Sequence, residues 1–317
     1  MGPGALALHV SGVRELSWLH VPLAPPGPGQ VHVQTTCSAV SVASELGVVV
    51  GRSSVPFPVR LGYQTLAVVR EVGEGVTLRR GQRVVAMYGH ASAAVMSAAR
   101  CLPVPNHVPD LVALAAVLGE ETHKGVRKIA PKPHEHALVS GAGLIGLLTT
   151  FNLVRRGHQR VTVVDPDAGR RALASALGVR ALHPSDLSDL GAFAQVGFEC
   201  SASPDGFTGL LEALTPGGRA CVLSDGNWGA LTLSPTFHER ELWVVGSSDG
   251  EDYAGYARWL WLHADPWLEG LFAEVVTPAA LPGTYRRLED WPRPVSVVVD
   301  WTRGLPPQDA AVFRLGE

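Results

Sequence analysis

The hexapeptide Gly141-Ala142-Gly143-Leu144-Ile145-Gly146 is the first stretch where residue type and spacing could do chemistry. Gly141 permits a tight turn, Gly143 lets the main chain approach a pyrophosphate, and Gly146 lets a helix lie close on a strand. Leu144 and Ile145 open that helix, whose amino end would hold phosphate on backbone N–H groups. The pattern is weak alone. Here an apolar run over 137–140 precedes it, and Asp165 stands 19 residues after Gly146 at the end of a second apolar run over 161–165. A carboxylate there accepts hydrogen bonds from ribose hydroxyls and repels a 2′-phosphate, so the spacing predicts a dinucleotide site favouring NAD(H) over NADP(H). Arg170 and Arg171 point the other way, because a guanidinium pairs with phosphate; the alternative for both is a solvated helix face. Ser201 and Ser224, at the ends of two later strands, are the remaining expected cofactor contacts.

Other polar constellations are poorer. His134-Glu135-His136 places two imidazoles on one face of a strand, yet two ligands make no closed metal site. The four cysteines, Cys37, Cys101, Cys200 and Cys221, stand far apart, without a paired spacing or the density of a disulfide scaffold, as expected in a reducing cytoplasm. Trp259-Leu260-Trp261 reads as core or subunit contact rather than a stacking platform.

These residues need elements to position them, and the 317-residue chain has two grammars. Up to about residue 105 it consists of short β-branched runs broken by Gly and Pro, at 5–10, 31–36, 66–72, 83–87, 93–96 and 101–104, which predict an antiparallel, barrel-like domain. From about 110 helix and strand alternate. Asp110 is expected to cap a helix over 111–118, with a second over 121–129. Strands at 137–140, 161–165, 180–182, 198–201, 220–224 and 242–247 alternate with helices at 144–156, 168–177, 187–194 and 206–214, the pattern of a doubly wound parallel sheet. After a helix at 253–263, a helix at 278–289 and a strand at 295–300 return to the first grammar.

Composition bounds the function. A hydrophobic share of 46% against 17% charged residues suits a chain with a sizeable core, and a net charge of −3 gives no attraction to nucleic acid or anionic lipid. The amino-terminal stretch lacks the basic flank of a signal peptide. The uncharged run 137–154 reaches the lower length limit of a membrane span, but its glycines and polar residues read as strand, turn and helix. No membrane association is expected.

Several stretches together resemble the medium-chain dehydrogenase/reductase superfamily: Pro26-Gly27-Pro28-Gly29-Gln30-Val31-His32-Val33, Gly73-Glu74-Gly75-Val76 leading to Gly81-Gln82-Arg83-Val84, His90-Ala91, the glycine turn above, and Leu214-Thr215-Pro216-Gly217-Gly218-Arg219. The resemblance covers nearly the full length. It implies an α/β protein with a GroES-like antiparallel β-barrel catalytic domain (1–112 and 267–317) and a Rossmann doubly wound parallel sheet (113–266), acting on a small-molecule substrate as a homodimer through the strand at 242–247. It also implies that Thr122 contacts the cofactor and that Ser41, Ser44, Tyr63 and His123 face the nicotinamide.

The departures are informative. Where zinc-dependent members carry Cys and then Gly-His-Glu, this chain has Ser41 and Gly62-Tyr63-Gln64, and the third ligand position falls near Leu118. A hydroxyl, a phenol, an amide and an aliphatic chain are poor zinc ligands, and the cysteine-rich lobe of a structural zinc is missing. Cys37 offers another alignment but cannot rebuild three ligands. The expectation is therefore a metal-free, NAD(P)-dependent oxidoreductase of small alcohols, carbonyls or conjugated carbonyls. The alternatives are an NADPH-dependent quinone or enone reductase, and a silent dinucleotide-binding sensor or assembly protein. Tyr63 could equally fill the vacated pocket by packing, His123 could be a solvated helix residue, and Ser41 and Ser44 could be turn residues.

Overall fold

A computed structural model of the chain describes residues 4–225, 229–305 and 312–316. The first part runs β1 (Gly4–Gly12), β2 (Glu15–Pro22), β3 (Gln30–Val40), α1 (Val42–Val49), β4 (Val59–Arg60), β5 (Gln64–Val72), β6 (Arg83–Ala86), β7 (Ala93–Ser97), β8 (Leu102–Pro103) and α2 (Asp110–Leu114). The middle follows as α3 (Ala116–Ile129), β9 (Ala137–Ser140), α4 (Leu144–Arg155), β10 (Val161–Val164), α5 (Ala168–Ser175), β11 (Arg180–Leu182), β12 (Ala194–Glu199), α6 (Pro204–Ala213), β13 (Leu214–Val222), α7 (Pro235–Glu239) and β14 (Trp243–Gly246). The last part contains α8 (Tyr253–Leu262), β15 (Glu274–Val276), α9 (Leu281–Arg287), β16 (Val297–Asp300) and β17 (Phe313–Arg314). Two compact units result, one of residues 1–116 with 257–317 and one of residues 117–256.

The discontinuous unit is built on antiparallel pairing. One sheet has the order β17-β2-β1-β4, and a second has β15-β16-β3-β5-β6-β8 with β7 also on β3. The returning carboxy-terminal strand is held by Val297 opposite Val40 and Asp300 opposite Cys37. Alternating burial along β3 puts Val31 and Val33 into one core with Val69 and Val84. Leu8, Leu16, Val40, Tyr285 and Trp301 form a second core in the same unit.

The continuous unit holds a parallel sheet of order β11-β10-β9-β12-β13-β14. Strands β9 and β10 are buried along their whole length, as expected where helices cover both faces. The strand order reverses direction between β9 and β12, and in such sheets ligands bind outside the carboxyl ends of the strands at that point. Among the described residues no helix is long and apolar enough to cross a membrane.

The chain departs from the sequence-based expectations in several places. Residues 42–49 form a helix, α1, that β-branched Val42, Val48 and Val49 disguise, so Ser41 and Ser44 are not simple turn residues. Asp110 is the first residue of α2 rather than its cap, and Pro109 precedes it; the Asp110 carboxylate pairs with Arg83 instead. The expected helix over 187–194 is a single turn, Ser188–Leu190, followed by β12, because Ala194, Val196 and Phe198 are drawn into the parallel sheet. His134 and His136 lie in the turn before β9, not on a strand face, and His136 Nε2 bonds Thr162 Oγ1 at 2.8 Å.

Candidate active site

The glycine turn after β9 has the geometry that its spacing predicts. Gly141 has φ +94, a conformation open to glycine and costly for other residues. A Cβ on Gly146 would sit 1.8 Å from the Gly141 carbonyl oxygen, so only glycine lets α4 start this close to the turn. A Cβ on Gly143, by contrast, would meet nothing nearer than Arg170 Nη1 at 3.8 Å, which leaves open the side that a phosphate would approach. Gly143 is the amino cap of α4 and supplies no side-chain cap, leaving the first-turn N–H groups and the positive end of the helix dipole to an anion. The residues present therefore fit a dinucleotide pyrophosphate, with Leu144 and Ile145 contributing main chain.

Asp165 follows β10 and is 4% exposed. Its Oδ2 accepts the Ala142 N–H at 2.7 Å and its Oδ1 the Asp167 N–H at 2.8 Å, so the carboxylate ties the glycine turn to the start of α5. Asp167 caps α5 by accepting the Arg170 N–H. Burial draws the Arg170 guanidinium down from its ordinary pKa while the charges of Asp165 and Asp167 hold it up. Arg171 is not merely solvated, since its Nη1 donates to the Asp165 and Pro166 carbonyls at 2.7 and 2.8 Å. Ser201 and Ser224, past the ends of β12 and β13, both donate to the wholly buried Glu199 carboxylate, Ser201 at 2.6 Å. Glu199 was not singled out from sequence; it orders both serines at the carboxyl edge of the sheet.

Thr122 and His123 lie on α3 of the same unit. Thr122 is fully buried, donating to the Gly119 carbonyl and accepting from Asn152 Nδ2 at 3.0 Å, while Tyr256 donates to the other end of Asn152. The His123 ring lies tilted at 32° against Tyr256 with centroids 5.4 Å apart, and Nδ1 lies 3.2 Å from Glu120 Oε2. Next to them burial, with Asp249 adding to it, pushes the Glu121 carboxyl up to about 7.

The discontinuous unit brings Ser41, Ser44 and Tyr63 together. Ser44 Oγ donates to Ser41 Oγ at 2.8 Å and lies 3.1 Å from Tyr63 Oη. Tyr63 is placed by the turn before β5: Gly62 has φ +85, and a Cβ there would come within 2.7 Å of the His90 ring. Beneath Ser41 is a buried polar network that sequence reasoning did not assemble. Glu45 accepts the Ser41 N–H at 2.7 Å, His90 Nε2 lies 3.0 Å from Glu45, and Tyr285 donates to the same carboxylate. His90 Nδ1 meets Ser38 Oγ at 2.7 Å, and Trp301 donates to that hydroxyl. The pair His90-Ala91 was the only signal in the sequence, and its partners come from residues 38 to 301.

The zinc that the resemblance implies can be tested on these donors. Ser41 and Tyr63 are hydroxyls linked through Ser44, Gln64 offers a neutral amide, and Leu118 is an aliphatic chain that is 1% exposed. Cys37 is a lone thiol on β3, buried opposite Asp300 of β16, and one cysteine does not rebuild a three-ligand site. Among the described residues no three His, Cys, Asp or Glu side chains gather into a metal-holding group. This donor set does not fit zinc.

No family model matches the chain. The curated "Probable diacetyl reductase [(R)-acetoin forming] 2" of Saccharomyces cerevisiae is 31% identical over 169 residues, 48% of this chain and 40% of that protein, so the match spans well under two thirds of its length. The L-threonine 3-dehydrogenase of Chelativorans sp. is 27% identical over 65% of this chain and 72% of its own length. The crystal structure of acetophenone reductase from Geotrichum candidum in complex with NAD superposes with a TM-score of 0.83 at 19% identity, covering 96% of this chain and 99% of that one. Other solved structures of this fold hold NADP or NADH. The architecture is thus that of the medium-chain dehydrogenases, an antiparallel-sheet unit with a Rossmann-like parallel sheet. The dehydrogenases among the sequence relatives support an NAD(P)-dependent oxidoreductase.

Proposed function

We propose that the chain is a zinc-independent oxidoreductase that transfers a hydride between NAD(H) and a small alcohol or carbonyl compound. The observation that carries this reading is the hydroxyl chain Tyr63–Ser44–Ser41, whose two ends, Ser41 and Tyr63, the resemblance sets against positions of metal ligands. A bound nicotinamide supplies or accepts the hydride; the protein's residues handle the oxygen and its proton. Ser44 has one proton and gives it to Ser41, so Tyr63 donates to Ser44 and the chain's remaining donor is the Ser41 hydroxyl. That donor is held by Glu45, which fixes the Ser41 main chain, and it can bond an oxygen that gains negative charge as a carbonyl is reduced. The phenol at the far end polarises the chain and can pass a proton along it.

The preference for NAD(H) rests on the fixed Asp165 carboxylate and on Arg170, whose charge is balanced by Asp165 and Asp167 before any phosphate arrives. We extend the reading to a cytoplasmic homodimer. Cys37, Cys101, Cys200 and Cys221 are all unpaired, and β14 ends the parallel sheet with Trp243 69% exposed. The test is a nicotinamide absorbance assay across alcohols and carbonyls. Ser41→Ala is expected to lower kcat/KM by about 100-fold, the usual worth of an oxyanion donor, and Tyr63→Phe by about tenfold. Unchanged rates in both variants, or stoichiometric zinc in the purified protein, refute the reading.

A further inference from the structure

The two sheets of the discontinuous unit meet at a narrow seam. Leu8 N donates to the His90 carbonyl at 2.9 Å, Ser92 N donates to the Leu6 carbonyl at 2.8 Å, and Ala7 faces Ala91 in an isolated bridge. Past this seam β1 stays paired with β2, and β7 with β3. A cavity of about 260 Å³ lies there. Its floor is Ala5, Ala7 and Ala91, each no more than 1% exposed, and three methyl groups leave room that larger strand side chains would fill. Pro22, Ala24 and Arg60 in its lining are exposed, so the cavity opens to solvent.

Arg60 is the one lining residue with a polar side chain. Its stem lies across Gly89, where a Cβ would come within 2.5 Å of Arg60 Cδ, and its Nη1 donates to the Tyr88 carbonyl at 3.2 Å. No carboxylate of the described residues pairs with this guanidinium, and the residue opposite it on β1 is His9 rather than an acid. A guanidinium stays charged, and its planar fork of donors matches a carboxylate. The apolar floor asks for something else. A dry cavity of about 150 Å³ already admits a benzene ring, so this one holds a ring and its substituent. We propose that the cavity binds a small carboxylate with an apolar body, the carboxylate on Arg60 and the body on the alanine floor. None of Ser41, Ser44 and Tyr63 lines it, and the site stands independently of the oxidoreductase reading.

The probes are benzoate, its neutral isostere benzamide, and inorganic phosphate, an anion with no apolar body. Each is titrated into the full-length protein by calorimetry. Two variants accompany wild type. Arg60→Met keeps an unbranched stem over Gly89 and removes the charge. Ala93→Leu puts a larger chain into the lining from a partly exposed position on β7, so the cores are left alone. Thermal melts show that both fold. Wild type is expected to bind benzoate with a dissociation constant of about 1 mM or lower. Benzamide and phosphate should each bind at least about tenfold more weakly, the usual worth of a charge-assisted hydrogen bond or of a buried ring. Arg60→Met should reduce benzoate to the affinity of benzamide, and Ala93→Leu should weaken both. Absence of benzoate binding at this level, phosphate binding as tightly as benzoate, or a benzoate affinity that survives either substitution in a folded protein overturns the proposal.

Discussion

Gly143→Ala separates folding from dinucleotide binding. The backbone at 143 has φ −73 and ψ −173, which alanine adopts without strain. A methyl there meets only the flexible tip of Arg170, at 3.8 Å. Two stability effects oppose each other. Alanine is a worse amino cap than glycine by several tenths of a kcal/mol or more, while the unfolded chain loses freedom worth about 0.4–1 kcal/mol. Net stability should therefore stay within about 1 kcal/mol of wild type. Binding should not be spared, because the methyl stands where a phosphate must come against the first N–H groups of α4. Weakening one charge-assisted hydrogen bond costs about 1.5–3 kcal/mol, so the dissociation constant for NADH should rise roughly 10- to 100-fold. Gly146→Ala is the contrasting control: its Cβ would lie 1.8 Å from a main-chain oxygen, and the turn cannot keep its shape. NADH fluorescence titration and thermal melts on both variants provide the check. A folded Gly143→Ala protein that binds NADH as wild type does would show that the dinucleotide does not use this turn.

The Glu121 carboxyl, raised from 4.5 to about 7 by burial and Asp249, keeps its proton in the folded chain where the unfolded chain has lost it. The native state is therefore favoured most below about pH 4.5 and loses that advantage as pH rises to about 7, by at most about 3 kcal/mol and less for a partly exposed group. Glu121→Gln should match wild type near pH 4.5 and be the more stable protein at pH 8; a stability difference independent of pH in denaturant melts refutes this. Asp165→Asn removes the charge and keeps one of the two oxygens that accept the Ala142 and Asp167 N–H groups, and should shift relative affinity toward NADPH about tenfold, the worth of one like charge several Å from a 2′-phosphate. An unchanged NADPH-to-NADH affinity ratio in the fluorescence titration would mean that Asp165 serves the turn alone.

How far the chain could be read in advance depends on the range of the interaction. Gly141, Gly143, Gly146 and Asp165 are legible because their roles are local: each is set by the main-chain path of one strand, one turn and one helix, and the spacing encodes that path. The apolar runs of β9 and β10 announce a sheet covered on both faces for the same reason. Helix α1 was hidden because its valines follow strand propensity, and only packing of Leu46 and Val49 into the unit overrides it. Nothing in the spacing pairs Glu45 with His90 and Tyr285, residues 45 and 240 positions apart along the chain.

The amino-acid sequence by itself determined the glycine turn between an apolar strand and a helix, since residue identity at fixed spacing encodes that path, while the resemblance alone set Ser41, Tyr63, Gln64 and Leu118 against the positions of metal ligands. Only the tertiary structure decided what those residues do instead. It joined Ser41, Ser44 and Tyr63 into one hydroxyl chain, set Glu45 and His90 beneath it, and left Gln64 buried with its amide unmatched. Hydrogen bonding and burial are properties of neighbours in space, and here those neighbours come from strands and helices far apart in sequence.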